Sequence, residues 1–541
     1  MVYAIARHII TPLGDCVSDN LKAVLSHCTA IAYHDHIRME KLTKPAMVSL
    51  FEQLPNIEGY TFFESLCIRA VQESIQGKDI DLRSNRCVFI LSTTKGEIWT
   101  SLPVTAQHIA SYFDNLSTPI VVSNACTSGV SAQLCAFRLI ESGMYDTAII
   151  IGCELQSEFI VSGFQSFHAL SELVCRPFDS HRDGLNVGEA ASVLVLSNQS
   201  KKSEPVWQLM GGSIHNDANH ISGPSRTGEG SWRCLNEALS LISKEELACV
   251  SVHGTGTLYN DEMESIALHR AGLEDIPISA LKGYYGHTMG AAGVLETVLS
   301  MAALEQGIIL PAYDYSEQGT TYAVNLSNQT RTTDKRTFIK LLSGFGGVNA
   351  AVGWKKQYPT TTSITTVPPP VWEKLAEVEL TEKDDINALY RDRIGTYPKY
   401  FKMDRLSRLG FVATELLLQK IRERQPNFTL DHEHCAVLLA NRSSCIDNDR
   451  AYQKTIAAPT DYFPSPALFV YTLPNIVTGE ISIRQHLNGE TAFYILNEEK
   501  DMDSIVQATS LHTVCRQMIV GWIEYADDTD YYAHVKLLEK R

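Results

Sequence analysis

The chain has 541 residues, 44% hydrophobic and 20% charged, enough to bury a large core and too apolar for an intrinsically disordered protein. Its 46 Lys and Arg against 62 Asp and Glu leave a net charge of −16, which argues against nucleic acid as the main ligand. At roughly 150 residues per domain the length suggests three to four structural units, and no apolar run reaches the roughly 18–20 residues that span a bilayer, so no membrane partner is expected.

The N-terminal stretch MVYAIARHIITPLGD lacks the charged region and apolar run of a signal peptide, so a cytoplasmic location is expected. Up to about residue 355 short apolar runs (VVSNA, TAIIIG, ASVLVLS, ACVSVHG) alternate with helical patterns such as SAQLCAFRLIES and GVLETVLSMAALEQG. Buried strands alternating with helices predict an α/β layered architecture. The stretch Tyr358 to Pro370, YPTTTSITTVPPP, reads as an extended linker because Thr and Pro at that density cannot pack as a helix.

Beyond the linker the chain partly repeats itself. FFESLCIRAVQESI precedes NRCVFILSTTKG in the first unit, and RLGFVATELLLQKI precedes EHCAVLLANRSS in the tail. A constant offset of about 348 sets Cys87 on Cys435 and TPIVVSNA on PALFVYTL, a pattern of internal duplication. On that offset the register of Cys126 falls near Pro474 or Asn475, so the tail carries no matching nucleophile.

The 13 cysteines include no CxxC pair, which weakens zinc and redox readings. One of them stands apart. In TPIVVSNACTSGVSAQLCAFRLIES, an apolar strand runs into Asn124-Ala125-Cys126 and then into a helix. A thiol at a strand-to-helix turn meets the free amides and dipole of a helix N-terminus, which lower its pKa. Small neighbours, Ala125, Ser128 and Gly129, leave room for a sharp turn and for a substrate, as in a nucleophile elbow. Two histidine segments follow: SVHGTGT puts His253 at a strand end, and KGYYGHTMGAAG puts His287 before a helix, with Lys282 five residues upstream. A thiol with two strand-end histidines forms a coherent acyl-transfer set.

Asp261 and Glu264 in NDEMES are expected to start the following helix and anchor the HGTGT turn rather than act as an acid/base pair. The GFGG and GAAG runs lack the residues of a phosphate loop or a dinucleotide fingerprint. The cluster His215, Asn216, Asp217, Asn219 and His220 reads as a structural loop, not a metal site.

These motifs resemble those of the β-ketoacyl-acyl-carrier-protein synthases of the thiolase-like superfamily. The resemblance covers most of 1–355 in order, through SNACTSG, CRPFDSHRDGLNVGEAASVLVLS, SIHNDANHISGPSRTGEG, HGTGTLYNDEMES, ALKGYYGHTMGAAGVLE and SGFGGVNAAV. It implies a layered α/β/α/β/α fold from two similar halves, 1–200 with Cys126 and 201–355 with both histidines. A linker over 356–372 and a third, degenerate half over 373–541 would follow. It also implies roles for this chain's residues. Cys126 would accept the acyl group, and His253 and His287 would promote malonyl decarboxylation. Lys282 would order the local charges, with Glu296 as its partner. Phe345 would gate the cysteine, the amides of Cys126 and Phe345 would form an oxyanion hole, and Thr255 and Thr257 would bind pantetheine.

The implied activity is decarboxylative condensation of acyl and malonyl groups on acyl carrier protein (ACP), in fatty acid or polyketide-type elongation. No metal or organic cofactor is implied, because 4′-phosphopantetheine arrives on the carrier. A homodimer, or a pseudo-dimer through the tail, is expected. Two alternatives stand beside this: a specialised ketosynthase of a type II polyketide or aryl-polyene pathway, and a non-catalytic chain-length or scaffold subunit. The span between STTKGE and the cysteine is shorter than is usual in the family, which bears on the acyl pocket.

Overall fold

The computed structural model describes residues 1–200, 203–359, 370–458, 460, 462–512 and 514–541. The chain opens with β1 (Val2–Ile10) and a hairpin of β2 (Ile31–Ile37) and β3 (Glu40–Ser49). β4 (Cys87–Ser92), β5 (Ile120–Val122), β6 (Thr147–Glu154) and β7 (Ala190–Ser197) follow. Every residue of β4 and β7 is buried. Strands covered on both faces carry continuous Val, Ile and Leu instead of an alternating pattern, which is why they were visible as solid apolar runs.

A second unit is built from β8 (Val206–Asn216), β9 (Cys249–Ser251), β10 (Ile278–Ser279), a small pair β11 (Ile308–Ile309) and β12 (Arg331–Thr332), then β13 (Thr337–Gly344) and β14 (Val348–Gln357). The third comprises β15 (Trp372–Thr381), β16 (Cys435–Asn441), β17 (Thr491–Ile495), β18 (Gln517–Asp527) and β19 (Asp530–Lys540). The sheet orders are β1-β7-β6-β4-β5, β8-β14-β13-β9-β10 and β15-β19-β18-β16-β17. Each unit thus uses the same order of its five main strands: first, fifth, fourth, second, third. Pairing of β1 with β8 over Val2 to Ala4 joins the first two units, and antiparallel pairing of β5 with β17 joins the first to the third.

The helices Ser128–Glu141 and Ala292–Glu305 lie between the first two sheets, and nearly all of their residues are buried. The helix Phe62–Ile75 covers the outer face of the first sheet, and Glu229–Leu241 that of the second. This is the layered α/β/α/β/α arrangement. The two central helices cross where Gly129 meets Gly293; a Cβ on Gly129 would stand 2.8 Å from the Gly293 Cα, so any larger residue would push the helices apart. Both helices begin at the same place, and their N-termini define the site.

The tail departs from the sequence reading in three ways. Of the linker expected over 356–372, Lys356 and Gln357 finish β14, Trp372 opens β15, and residues 360–369 lie outside those described. PALFVYTL is not the counterpart of TPIVVSNA. Pro466–Val470 is a helix, and the strand in the place of β5 is β17. The counterpart of the Ala125–Thr127 turn is therefore the turn Glu499–Asp501 before the helix Met502–His512, not Pro474 or Asn475. A constant offset fails because the tail inserts two helices, Ile446–Lys454 and Pro466–Val470, after its second strand.

The helix Met502–His512 packs on Ser128–Glu141, and Arg138 makes a paired hydrogen bond to Glu490 across this junction, Nη1 to Oε1 at 2.5 Å and Nη2 to Oε2 at 2.8 Å. Both side chains are buried, at 6% and 5% exposure. Removing one partner of such a pair strands a charge out of water. Glu490→Ala is expected to cost about 3–5 kcal/mol, read as a lower midpoint in chemical unfolding.

Candidate active site

The cysteine sits where β5 turns into the helix Ser128–Glu141. Ala125 takes a left-handed conformation, φ +49°, a strained corner of the kind that presents a nucleophile. The turn is pinned by its own side chains: Ser128 Oγ donates to Ala125 O at 2.6 Å, and Thr127 Oγ1 to Asn124 O at 2.7 Å. The backbone amides of Cys126 and Phe345 favour the anionic form of the sulfur, as does the charge of Lys282. Burial outweighs them and pushes the thiol up to about 12. The helix N-terminus alone argued for a depressed thiol; desolvation reverses that, so the resting group is a thiol and needs a base.

His253 and His287 lie edge to face with ring centres 5.1 Å apart. They share a pocket of about 360 Å³ with Cys126, Thr255, Thr257 and Phe345. Met289 N donates to His287 Nδ1 at 3.3 Å, which leaves the proton on Nε2. That Nε2 is buried without a partner, as is Nδ1 of His253. Burial and the charges of Lys282 and Lys340 hold both imidazoles well below their usual pKa, so both are neutral. Thr255 Oγ1 and Thr257 Oγ1 stand 2.9 Å apart at the wall of the same pocket.

The backbone of His253 is clamped from two sides. Glu264 accepts from His253 N at 2.6 Å and Gly254 N at 2.8 Å, and Asp261 accepts from Thr255 N at 2.9 Å and Phe178 N at 2.8 Å. Both carboxylates lie on the helix Leu258–Arg270, where they anchor the turn. On the other side Lys282 Nζ donates to His253 O at 2.5 Å and to Glu296 Oε1 at 3.0 Å. Asp261, Glu264, Lys282 and Glu296 therefore support the site without lining the pocket.

Lys340 was not picked out from the sequence. It donates to Val252 O at 2.9 Å, to Ser251 O at 3.1 Å and to Glu296 Oε2. Two buried lysines thus share one carboxylate and cap three successive carbonyls, those of Ser251, Val252 and His253. The available signal was a single cation inside the apolar run TFIKLL. Lys340→Met removes a positive charge beside both imidazoles, so each pKa is expected to rise towards its ordinary value, followed by NMR titration of the histidine rings. An unmoved titration would show that burial and Lys282 keep them neutral without Lys340.

Glu154 was also missed. It is buried at the end of β6 and ties two loops together, accepting from Thr94 N and Gly290 N, each at 3.0 Å. Burial pushes it up to about 7. The tail contributes directly. Asn475 Nδ2 donates to Phe345 O at 2.7 Å, in the turn whose Gly346 (φ +89°) has no space for a side chain beside Asn475. Phe469, Thr472 and Leu473 join Cys126, Ile160, Phe164 and Phe345 around a small slot beneath the cysteine.

The loop around residue 215 is structural. His215 pairs with Glu237 and Asn488 O, Asn216 with Gly346 O, and Asp217 with Gly230 N.

A thiol beside two backbone amides, facing a pair of neutral imidazoles on a repeated layered α/β frame, gives a thiolase-like fold with a candidate acyl-transfer site. Residues 91–202 match the N-terminal domain of beta-ketoacyl synthase and residues 208–316 its C-terminal domain. Within residues 91–316 the chain therefore matches both domains of a β-ketoacyl synthase. It is 29% identical over 253 residues to 3-oxoacyl-[acyl-carrier-protein] synthase 2 of Mycobacterium leprae, covering 44% of this chain and 60% of that one. The curated relatives it matches are spanned over about three fifths of their length. Among solved structures it is similar to the ketosynthase ApeO in complex with its chain length factor ApeC from Xenorhabdus doucetiae, at 26% identity and TM-score 0.59, covering 66% of this chain and 98% of that one. The PfaC keto synthase-chain length factor aligns with the whole chain and 78% of its own at 12% identity and TM-score 0.77, a likeness of fold. Among the described residues no helix is long and apolar enough to cross a membrane.

Proposed function

We propose that the chain is a 3-oxoacyl-ACP synthase, joining an acyl group held on Cys126 to a malonyl group with loss of carbon dioxide. The observation that carries this is the convergence of Cys126, the amides of Cys126 and Phe345, and two neutral histidines on one pocket. In the first half-reaction the Cys126 proton passes to a neutral imidazole and the sulfur attacks the acyl thioester carbonyl. The two amides hold the oxyanion, and the carrier leaves as its thiol. In the second, His253 and His287 donate hydrogen bonds to the malonyl thioester oxygen as carbon dioxide departs, so charge builds on an oxygen that already has donors. The resulting enolate carbon attacks the acyl-Cys126 carbonyl, and the thiolate leaves.

This chemistry requires no metal or organic prosthetic group of the protein's own; pantetheine arrives with the carrier and would lie along Thr255 and Thr257. The tail acts as an in-chain partner without a nucleophile, occupying the position of a second subunit. Its contacts to Phe345 and to the acyl slot support that role. A specialised polyketide or aryl-polyene ketosynthase is the second reading, and relatives named polyketide ketoacyl synthases at 31% and 30% identity support its polyketide form. The intact Cys126, His253, His287 and Lys282 set weighs against a purely scaffolding subunit.

Intact-mass measurement after incubation with acyl-ACPs of several lengths tests the reading. An adduct that disappears in Cys126→Ala, and that malonyl-ACP discharges as elongated product, is the expected result. No adduct from any donor would point to the scaffold.

A further inference from the structure

The two central helices start from turns that match residue for residue, and only one of the turns carries the nucleophile. Ala125–Thr127 leads into Ser128–Glu141, and Met289–Ala291 leads into Ala292–Glu305. The first residue of each turn is left-handed, φ +49° at Ala125 and +42° at Met289. The second is Cys126 in one and Gly290 in the other. Each turn also meets the end of the other unit's fourth strand. β13 ends at Gly344, where a Cβ would stand 3.2 Å from Cys126 N, and β6 ends at Glu154. Gly344 lines the pocket beside Cys126, and its lack of a side chain leaves that amide open. At the second turn the Glu154 carboxylate fills the corresponding place, and its Oε2 accepts from Gly290 N at 3.0 Å.

Glu154 is fully buried. It accepts four further hydrogen bonds, from Thr94 N at 3.0 Å, Thr94 Oγ1 at 3.0 Å, Thr93 Oγ1 at 3.2 Å and Lys95 N at 3.4 Å. Its charge opposes ionisation of Cys126, so it is not placed to activate the nucleophile. Its leverage is on His287. Met289 N donates to His287 Nδ1 at 3.3 Å, and the next amide along the chain, Gly290 N, donates to Glu154. A non-glycine residue in the left-handed region keeps that conformation only where its surroundings impose it. Other bonds hold the carbonyl side of this turn: Ser92 Oγ donates to Gly290 O at 2.7 Å, and Ala291 N to Thr288 O at 2.9 Å. Glu154 holds the Gly290 amide. Without it Met289 is free to relax, and the amide aimed at Nδ1 turns with it.

We propose that Glu154 is a positioning residue for the decarboxylation step: by holding the Met289–Gly290 turn it keeps Met289 N on His287 Nδ1, and so keeps the His287 proton on Nε2. That proton is the donor the enolate oxygen needs. The inference rests on the ketosynthase reading and adds a residue to its machinery. Glu154 itself touches no reacting atom; it acts through the backbone of the second, nucleophile-free turn.

Two variants of the full chain test it. Glu154→Asp draws the carboxylate back by one methylene. Glu154→Gln keeps an oxygen for Gly290 N and Thr94 N and turns its amide to the hydroxyls of Thr93 and Thr94, which can accept as well as donate. The His287 ring is read by NMR in protein carrying isotope-labelled histidine, its signal identified by its loss in His287→Ala. Wild type and Glu154→Gln are expected to hold the proton on Nε2, and Glu154→Asp to populate the Nδ1 form. Carbon dioxide release from malonyl-ACP is expected to fall by up to about 10²-fold in Glu154→Asp, the cost of misplacing a catalytic group by about 1 Å. Glu154→Gln is expected to restore it, and neither variant to reduce acyl-Cys126 formation. An unchanged tautomer and unchanged release in Glu154→Asp overturn the proposal. Equal loss in both variants also overturns it, by assigning the effect to charge, and so does an equal fall in acyl adduct and carbon dioxide. Glu154→Ala takes the place of Glu154→Asp if that variant does not fold, and a wild-type His287 protonated on Nδ1 overturns the proposal without any variant. A wild type that releases no carbon dioxide overturns the ketosynthase reading, while the tautomer still decides whether Glu154 sets His287.

Discussion

Replacing His287 with alanine is expected to lower condensation by about 10²–10³-fold while Cys126 still accepts an acyl group. The magnitude is that of losing one hydrogen-bond donor to a developing oxyanion. Met289 N occupies the other ring nitrogen, so Nε2–H is the only donor His287 can turn to the pocket. Its neutral state is secured by burial and two lysines, not by the solution pH. The measurement is split: intact mass follows the acyl adduct, and carbon dioxide release from malonyl-ACP follows the enolate step. Equal loss of both would mean that His287 serves the transfer to Cys126 rather than decarboxylation. Unchanged carbon dioxide release would remove it from the mechanism.

Deleting residues 373–541 is expected to leave no soluble, active core. β5 would lose its neighbour β17 and become an open edge at the end of the remaining sheet, a template for aggregation. The exposed flank of Ser128–Glu141 would lose the helix Met502–His512, and Arg138 would lose Glu490. That helix begins at the nucleophile turn, so its displacement reaches Cys126 directly. Asn475 would no longer hold the Phe345 turn, and Phe469 would no longer close the acyl slot. Size-exclusion chromatography and acyl-adduct profiling decide this. A monomeric core with the wild-type acyl preference would show the tail to be dispensable.

Much of the frame was legible because its strands are covered on both faces. TAIIIG and ASVLVLS could be recognised as buried strands from composition alone, and their alternation with helices implied the layers. The motifs around Cys126, His253 and His287 were legible for a different reason. Each is a tight turn at the end of a strand, and the small residues such turns require sit next to the reactive side chain. Lys340 escaped notice because a cation in mid-strand has no local signature; its meaning depends on Glu296, 44 residues away in the chain. The third unit was visible by order of elements, but its register was misplaced, because inserted helices break a constant offset while leaving strand order intact.

By itself, then, the sequence determined the local parts: buried strands, helix starts, and the reactive residues placed at those junctions. Nearest neighbours along the chain decide backbone conformation and exposure pattern, and those are what short motifs record. The tertiary structure alone decided the electrostatics and the boundaries of the site. It set the thiol high through burial, held two histidines neutral between two lysines, and brought Phe469, Thr472 and Leu473 from the tail to the slot beneath the cysteine and Asn475 to the Phe345 turn. Those effects depend on distances between residues far apart in the chain, such as Phe345 and Asn475, 130 positions apart, and such distances exist only once the sheets have joined.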